Sequence, residues 1–209
     1  MAAQEAGQLS VLAALIQPYA AGDAHDIARR LIARFGSLRT IYSASVEALC
    51  DATGAGPRAG SKVAAAIVGA RRLAEAATRE VLLGQATDTN TLAFRQYLVS
   101  RLGSRREECV MLLFFTGERL YIAEDLYVGG KRAEIRIPLR RTVRRAFDLD
   151  ARRIVVAHNH PSGVPQPSAS DIAATTRLCA VLEALEITLD DHCVVSGNSV
   201  VSMRAMRLV

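Results

Sequence analysis

Residues 154 to 163 read Ile154-Val155-Val156-Ala157-His158-Asn159-His160-Pro161-Ser162-Gly163, and Pro167-Ser168 and Asp171 follow. The first four are apolar and mostly β-branched, a short run that predicts a buried strand. Side chains two apart on a strand share a face, so His158 and His160 can reach one point from the strand end. The Pro, Gly and Ser residues that follow predict a loop that turns the chain back. Ser168-x-x-Asp171 then opens a helical run, Ile172 to Leu185, with Asp171 in its first turn. Two neutral imidazoles and one carboxylate, with a water in the fourth position, have the ligand count of a catalytic zinc site. Ser168 and Asp171 also fit a capping-box variant, a role compatible with the first.

At these residues the chain resembles the RadC family, whose C-terminal domain has the JAMM (MPN-plus) metallopeptidase-like fold. Asp191-His192 leading into Val194-Val195, Ser202 in a last short strand, and Gly129-Gly130 before a further strand match the same family. The resemblance covers about positions 88 to 209 well and the N-terminal part more loosely. It implies an α/β (α+β) domain with a mixed sheet, preceded by a small all-helical domain. It also implies a catalytic acid/base near the start of an earlier strand. Glu107-Glu108-Cys109-Val110-Met111-Leu112 has the matching form, which selects Glu107. Glu108 is the competitor, because only one of two neighbours on a strand faces the site. The chemistry asks for such a group independently: a carboxylate that is not a ligand must take and pass on the proton of the attacking water. Ser168, beside the metal loop, is the candidate to hold an oxyanion. One departure is that the family's Pro-Arg-Glu at a helix start is here Leu139-Arg140-Arg141, with Pro138 one residue early. The ligands are unaffected, but the acid is replaced by Arg.

Residues 1 to about 83 read as helical. Leu9, Leu12 and Ile16 form one apolar stripe and Ile27, Leu31 and Phe35 another. Gly36 is a C-cap signal, and Ser45 can cap a short helix. Gly54-Ala55-Gly56 makes a tight turn before a helix from about Gly60 to Leu83. The arrangement resembles a helix-hairpin-helix, and Phe35-Gly36-Ser37-Leu38 is typical of the family's N-terminal part. The amides of such a turn can hold a DNA phosphate. The alternative is a small structural bundle. The polar run 84–90 is the expected linker, which gives domains 1–84 and 85–209.

In the second domain, Asn90 or Thr91 caps a helix through Leu102, with Leu92, Phe94 and Leu98 toward the core. Strands are predicted over Glu107–Phe115, Arg119–Val128 and roughly Ala133–Ile137. A helix over 139–148 precedes the metal strand, and two closing strands split at Gly197-Asn198. Arg140, Arg141, Arg144 and Arg145 share one face of the 139–148 helix, with Leu139, Val143, Ala146 and Phe147 on the other. The Arg face is either solvated or an anion-binding surface. His25 reads as a surface residue. His192 either orients a site residue or packs on its strand.

Half of the 209 residues are apolar and Trp is absent, so the core must be aliphatic. No apolar run reaches the length of a membrane span, and the N-terminus lacks a basic n-region. Cys50, Cys109, Cys179 and Cys193 show no paired metal spacing and read as reduced, mostly buried thiols of a cytoplasmic protein. A net charge of +5 permits a nucleic-acid partner without demanding one.

The leading expectation is therefore a zinc-dependent hydrolase of JAMM type, cutting an amide or isopeptide bond in a peptide or protein. Zn2+ would be held by His158, His160 and Asp171, and Glu107 and Ser168 would be catalytic. The second is a DNA-repair protein that binds DNA or cuts it as a metal-dependent nuclease. The third is a non-catalytic binding module, against which the intact Glu, His, His, Asp set speaks.

Overall fold

The computed structural model of the chain describes residues 2–20, 23–80, 82–129 and 137–209. The chain divides into two compact units, Met1–Ala76 and Ala77–Val209, and passes from one to the other within a long helix.

The first unit is helical. α1 (Ala2–Ile16), α2 (Ala24–Phe35), α3 (Leu38–Ser43), α4 (Val46–Thr53) and the start of α5 (Gly56–Glu80) surround Leu12, Ile16, Ile27, Leu31, Leu49 and Val63. The Asp23 carboxylate accepts the His25 N–H at the start of α2, and Gly36 ends that helix in the left-handed region. Gly54 and Gly56, with φ of +61° and +78°, make the turn between α4 and α5. A Cβ on Gly60 would lie 3.0 Å from Thr53 Oγ1 and 3.1 Å from the Cys50 carbonyl oxygen. This close approach of α4 and α5 gives Gly60 a packing reason.

The second unit is built on a five-stranded mixed sheet in the order β2-β1-β3-β4-β5. Its strands are β1 (Cys109–Phe115), β2 (Tyr121–Val128), β3 (Arg153–Asn159), β4 (Thr188–Ser196) and β5 (Ser199–Ser202). β3 and β4 are parallel, and the other neighbours are antiparallel. Both faces of the sheet are covered, so β1 is apolar throughout and β3 carries an unbroken apolar run from Ile154 to Ala157 rather than an alternation. α6 (Leu92–Leu102) lays Phe94, Tyr97, Leu98 and Leu102 on Cys109, Met111, Leu113, Val155 and Ala157. α7 (Leu139–Asp148) and α8 (Ala169–Glu183) cover Val110, Leu112, Phe114, Ile154 and Val156 on the opposite face. The polar stretch 84–90 is anchored to this unit, where the Thr87 N–H donates to the Arg119 carbonyl.

Two expectations about packing are corrected. Leu92 is 70% exposed, and Tyr97 is buried on the α6 core face instead. Phe147 is 61% exposed, while Thr142 and Ala146 face the core from α7. Most of the strand expected over 133–137 lies outside the described residues. Cys109 and Cys193 are buried, Cys50 and Cys179 are half-buried, and none is in a disulfide. No helix among the described residues is long and apolar enough to cross a membrane.

Candidate metal centre

The alternation of β3 decides where the histidines point. Ile154 and Val156 face α8, so His158 continues that face at the strand's C-terminal end and is fully buried. His160 stays in phase because its N–H donates to the Val195 carbonyl, one step beyond the β3–β4 pairing. The loop then reverses, with Gly163 at φ +94°. It delivers Ser168 as the N-cap of α8 and Asp171 as its third residue, in a reciprocal capping box.

His158, His160 and Asp171 converge. His158 Nε2 and His160 Nε2 are 3.0 Å apart. Asp171 Oδ2 lies 3.6 Å from the first and 3.4 Å from the second. Ligand atoms about 2.0–2.1 Å from a tetrahedral zinc ion are separated by about 3.3–3.4 Å, so the three atoms already approximate one face of such a tetrahedron. The proton inventory also fits a cation. His160 Nδ1 is 2.8 Å from the Val164 carbonyl oxygen, which can only accept, so that nitrogen carries the proton and Nε2 is a bare lone pair in the neutral ring. Asp171 Oδ2 accepts from both the Ser168 N–H, at 2.7 Å, and the Ser168 hydroxyl, at 2.6 Å.

Burial opposes the charge of Asp171, but the neighbouring His158 ring and the hydrogen bonds from Ser168 outweigh it and hold the carboxyl well below its ordinary range. For His158 burial wins over the favourable Asp171 charge and pushes its pKa down. His192 is pushed down further, first by burial and then by the neighbouring His158 charge. A carboxylate that favours its ionised form beside a buried His158 ring that favours its neutral form is the protonation pattern that a metal requires.

The register bears on which of the two glutamates lies on the side of the candidate ligands. β1 starts at Cys109, after a bend at Arg106–Glu107. The ladder with β2 extends one residue upstream, where the Gly129 N–H donates to the Glu108 carbonyl at 2.7 Å. Val110 faces α8 and pairs with His158, so Glu108, two residues before it, falls on the metal face. Glu108 is half-buried, and its charge favours the protonated form of His158. Glu107 is exposed, and its carbonyl accepts from the Asn159 amide at 3.0 Å and from the Cys109 thiol at 3.4 Å. The Ser168 hydroxyl, the candidate oxyanion donor, directs its proton at Asp171 Oδ2, so here it orients the candidate ligand carboxylate.

Two participants were missed in the sequence. Asn159, between the two histidines, points to the other side of the sheet and is buried. Its Oδ1 accepts the Cys109 N–H at 2.8 Å, and its Nδ2 donates to the carbonyls of Arg105 and Glu107. It thereby fastens the segment that carries Glu108 to the strand that carries the ligands. The available signal was a polar residue at a core position of an apolar strand. Thr175 is fully buried one helical turn beyond Asp171, a spacing that could have identified it. His192 does reach the site, 2.7 Å from His158 Nδ1. At α7, the Arg that replaces the family's acid coincides with a helix start that has no side-chain cap.

The sequence profile of the RadC-like JAB domain matches residues 89–208, a span that includes all three candidate ligands and both candidate glutamates. The chain belongs to the RadC family. A UPF0758 protein of Marinomonas sp. (strain MWYL1) is 34% identical over 212 aligned residues, covering 99% of this chain and 92% of the relative. One from Paraburkholderia xenovorans (strain LB400) is 36% identical, over 86% of this chain and 70% of the relative. One from Neisseria meningitidis serogroup B is 35% identical, over 88% and 80%. The matched span covers the whole mixed sheet and the loop between β3 and α8.

Proposed function

We propose that this RadC-family chain is a zinc-dependent hydrolase of JAMM type that cuts an amide or isopeptide bond in a peptide or protein. The observation that carries this reading is the convergence of His158 Nε2, His160 Nε2 and Asp171 Oδ2 at tetrahedral-edge distances. Two imidazoles and one carboxylate suit zinc better than Mg2+, which favours oxygen ligands. A zinc ion held there supplies Lewis acidity, polarising a carbonyl and lowering the pKa of a water.

The protein's own groups do the rest. Ser168 and the α8 N-terminus hold Asp171 ionised. Glu108 takes a proton from the attacking water as the new C–O bond forms. It then delivers that proton to the leaving nitrogen as the C–N bond breaks. Asn159 keeps Glu108 in register with the ligands.

Metal analysis of protein prepared without chelator is expected to give about one zinc per chain. Zinc content unchanged in a His158→Ala/His160→Ala variant would refute the site. Glu108→Gln should keep the zinc and abolish cleavage of peptide- or isopeptide-linked fluorogenic substrates, whereas Glu107→Gln should keep both. If Glu107→Gln is the inactive variant, the register argument fails.

A second reading, DNA binding by the first unit, is favoured by one observation. Arg58 and Lys62 stand exposed, four residues apart, on the first turns of α5 beside the Gly54–Gly56 turn. The Arg face of α7 supports it less. Arg145 is engaged with Asp125 at 3.4 Å and Arg144 approaches Asp148 at 4.0 Å.

A further inference from the structure

Behind the three ligands, a run of hydrogen bonds leaves His158 and returns to the helix that carries Asp171. His158 Nδ1 is 2.7 Å from His192 Nε2. His192 Nδ1 is 2.5 Å from Thr175 Oγ1. Thr175 Oγ1 donates to the Asp171 carbonyl at 2.6 Å. All three side chains are fully buried, so water does not substitute at any link.

The far end of this run fixes its direction. A backbone carbonyl has no proton to give, so the single hydroxyl proton of Thr175 goes to it. The other acceptor near that hydroxyl, Met203 Sδ at 3.9 Å, has no proton either. Thr175 Oγ1 therefore meets His192 as an acceptor, and the His192 proton sits on Nδ1. A neutral imidazole has one N–H only. His192 Nε2 is then bare, and His158 must donate to it from Nδ1. His158 Nε2 is left without a proton, facing His160 and Asp171.

We propose that Thr175 and His192 are positioning residues that set the tautomer of His158 and so make its Nε2 a metal ligand. The purpose of the relay rests on the metal site proposed above, while its direction follows from the hydrogen bonds alone. His160 reaches the same state by a simpler device, the Val164 carbonyl. His158 lies inside the fold, and there a second histidine stands opposite its Nδ1. The relay also ties β3 to α8 through β4, which couples the strand ligand to the helix ligand.

The test uses the full chain labelled with 15N-histidine. After chelator treatment, long-range 1H–15N correlation spectra, assigned by single substitutions, should show His158 and His192 with the proton on Nδ1. A His158 signal with the proton on Nε2 overturns the proposal, whatever any variant does. Thr175→Val removes the hydroxyl at nearly constant shape. Its zinc affinity, measured by competition with a chelator, should fall about 10- to 100-fold, the usual range for loss of an outer partner. Thr175→Ser should restore both the affinity and the His158 signal. Zinc affinity equal to wild type in a folded Thr175→Val protein sinks the proposal and leaves the metal centre standing. Absence of zinc binding by the wild-type chain refutes the metal centre instead, and the wild-type spectrum still decides the relay. That spectrum also decides it if Thr175→Val does not fold.

Discussion

Replacing Asn159 with Leu tests whether one amide between the two histidine ligands holds the segment that carries Glu108. The side chain is 2% exposed and makes three hydrogen bonds to the backbone of residues 105 to 109. Leu fills a similar volume and makes none. The Cys109 N–H belongs to a residue only 1% exposed. Left without a partner it costs about 1–3 kcal/mol. The carbonyls of Arg105 and Glu107 belong to residues that water can reach, so each loss is worth only about 0.5–1 kcal/mol. Together the substitution should destabilise the protein by about 2–5 kcal/mol. In a chain of this length each kcal/mol moves the midpoint by about 2–4 °C, so a thermal melt of the full chain should show a fall on the order of 10 °C. Hydrogen exchange at the Cys109 amide should accelerate. Asn159→Asp keeps the acceptor for Cys109 but sets a carboxylate oxygen against two carbonyls, so it should be no more stable than Asn159→Leu at neutral pH. A midpoint within about 1 °C of wild type for Asn159→Leu, with Cys109 exchange unchanged, would show that the amide clamps nothing.

Acid should weaken the metal-free protein well above the carboxylate range. Burial lowers the pKa of His158 and lowers that of His192 further, so the unfolded chain binds more protons than the folded one below their ordinary value of 6.5. The stability is fully present above that value and is lost as pH falls toward the folded values, by up to about 1.4 kcal/mol per pH unit for each ring. Urea midpoints at pH 7.5 and 5.5 check this, and equal midpoints contradict it. If the first unit binds DNA, the full chain should bind duplex weakly and without sequence preference. Arg58→Ala/Lys62→Ala should then lower the affinity and reduce the salt slope by about 0.9 for each phosphate no longer neutralised; binding unchanged by that pair removes the hairpin from the reading. Changing Arg140, Arg141 and Arg144 to Ala measures the contribution of the α7 face, and an unchanged salt slope returns that face to a solvated role.

The convergence of His158, His160 and Asp171 was legible in the sequence because local rules place it. A period of two sets His158 and His160 on one side, and a capping box sets Asp171 at the start of a helix. The helices of the first unit were legible for similar reasons, with Ser45 and Gly36 marking ends that cap locally. What stayed illegible depends on contacts between residues distant along the chain. Whether Glu107 or Glu108 faces the ligands is a matter of parity, and parity is set by where β1 begins and by the Gly129 bond that extends its ladder. Leu92 and Phe147 satisfy a helical pattern but lie exposed, because helical period says which residues share a face and not which neighbour covers it. Asn159 carries a polar group at a buried position, yet its three partners lie 50 to 54 residues away. His192 and His158 are 34 residues apart and meet only because β3 and β4 lie parallel in one sheet. Local pattern was enough to bring out which side chains could converge on a metal, since spacing along a strand and a helix turn is local geometry. Which glutamate lies on their side of the sheet, and which partners their ring nitrogens meet, came from packing between distant segments, because a buried hydrogen bond is directed by whatever lies across from it.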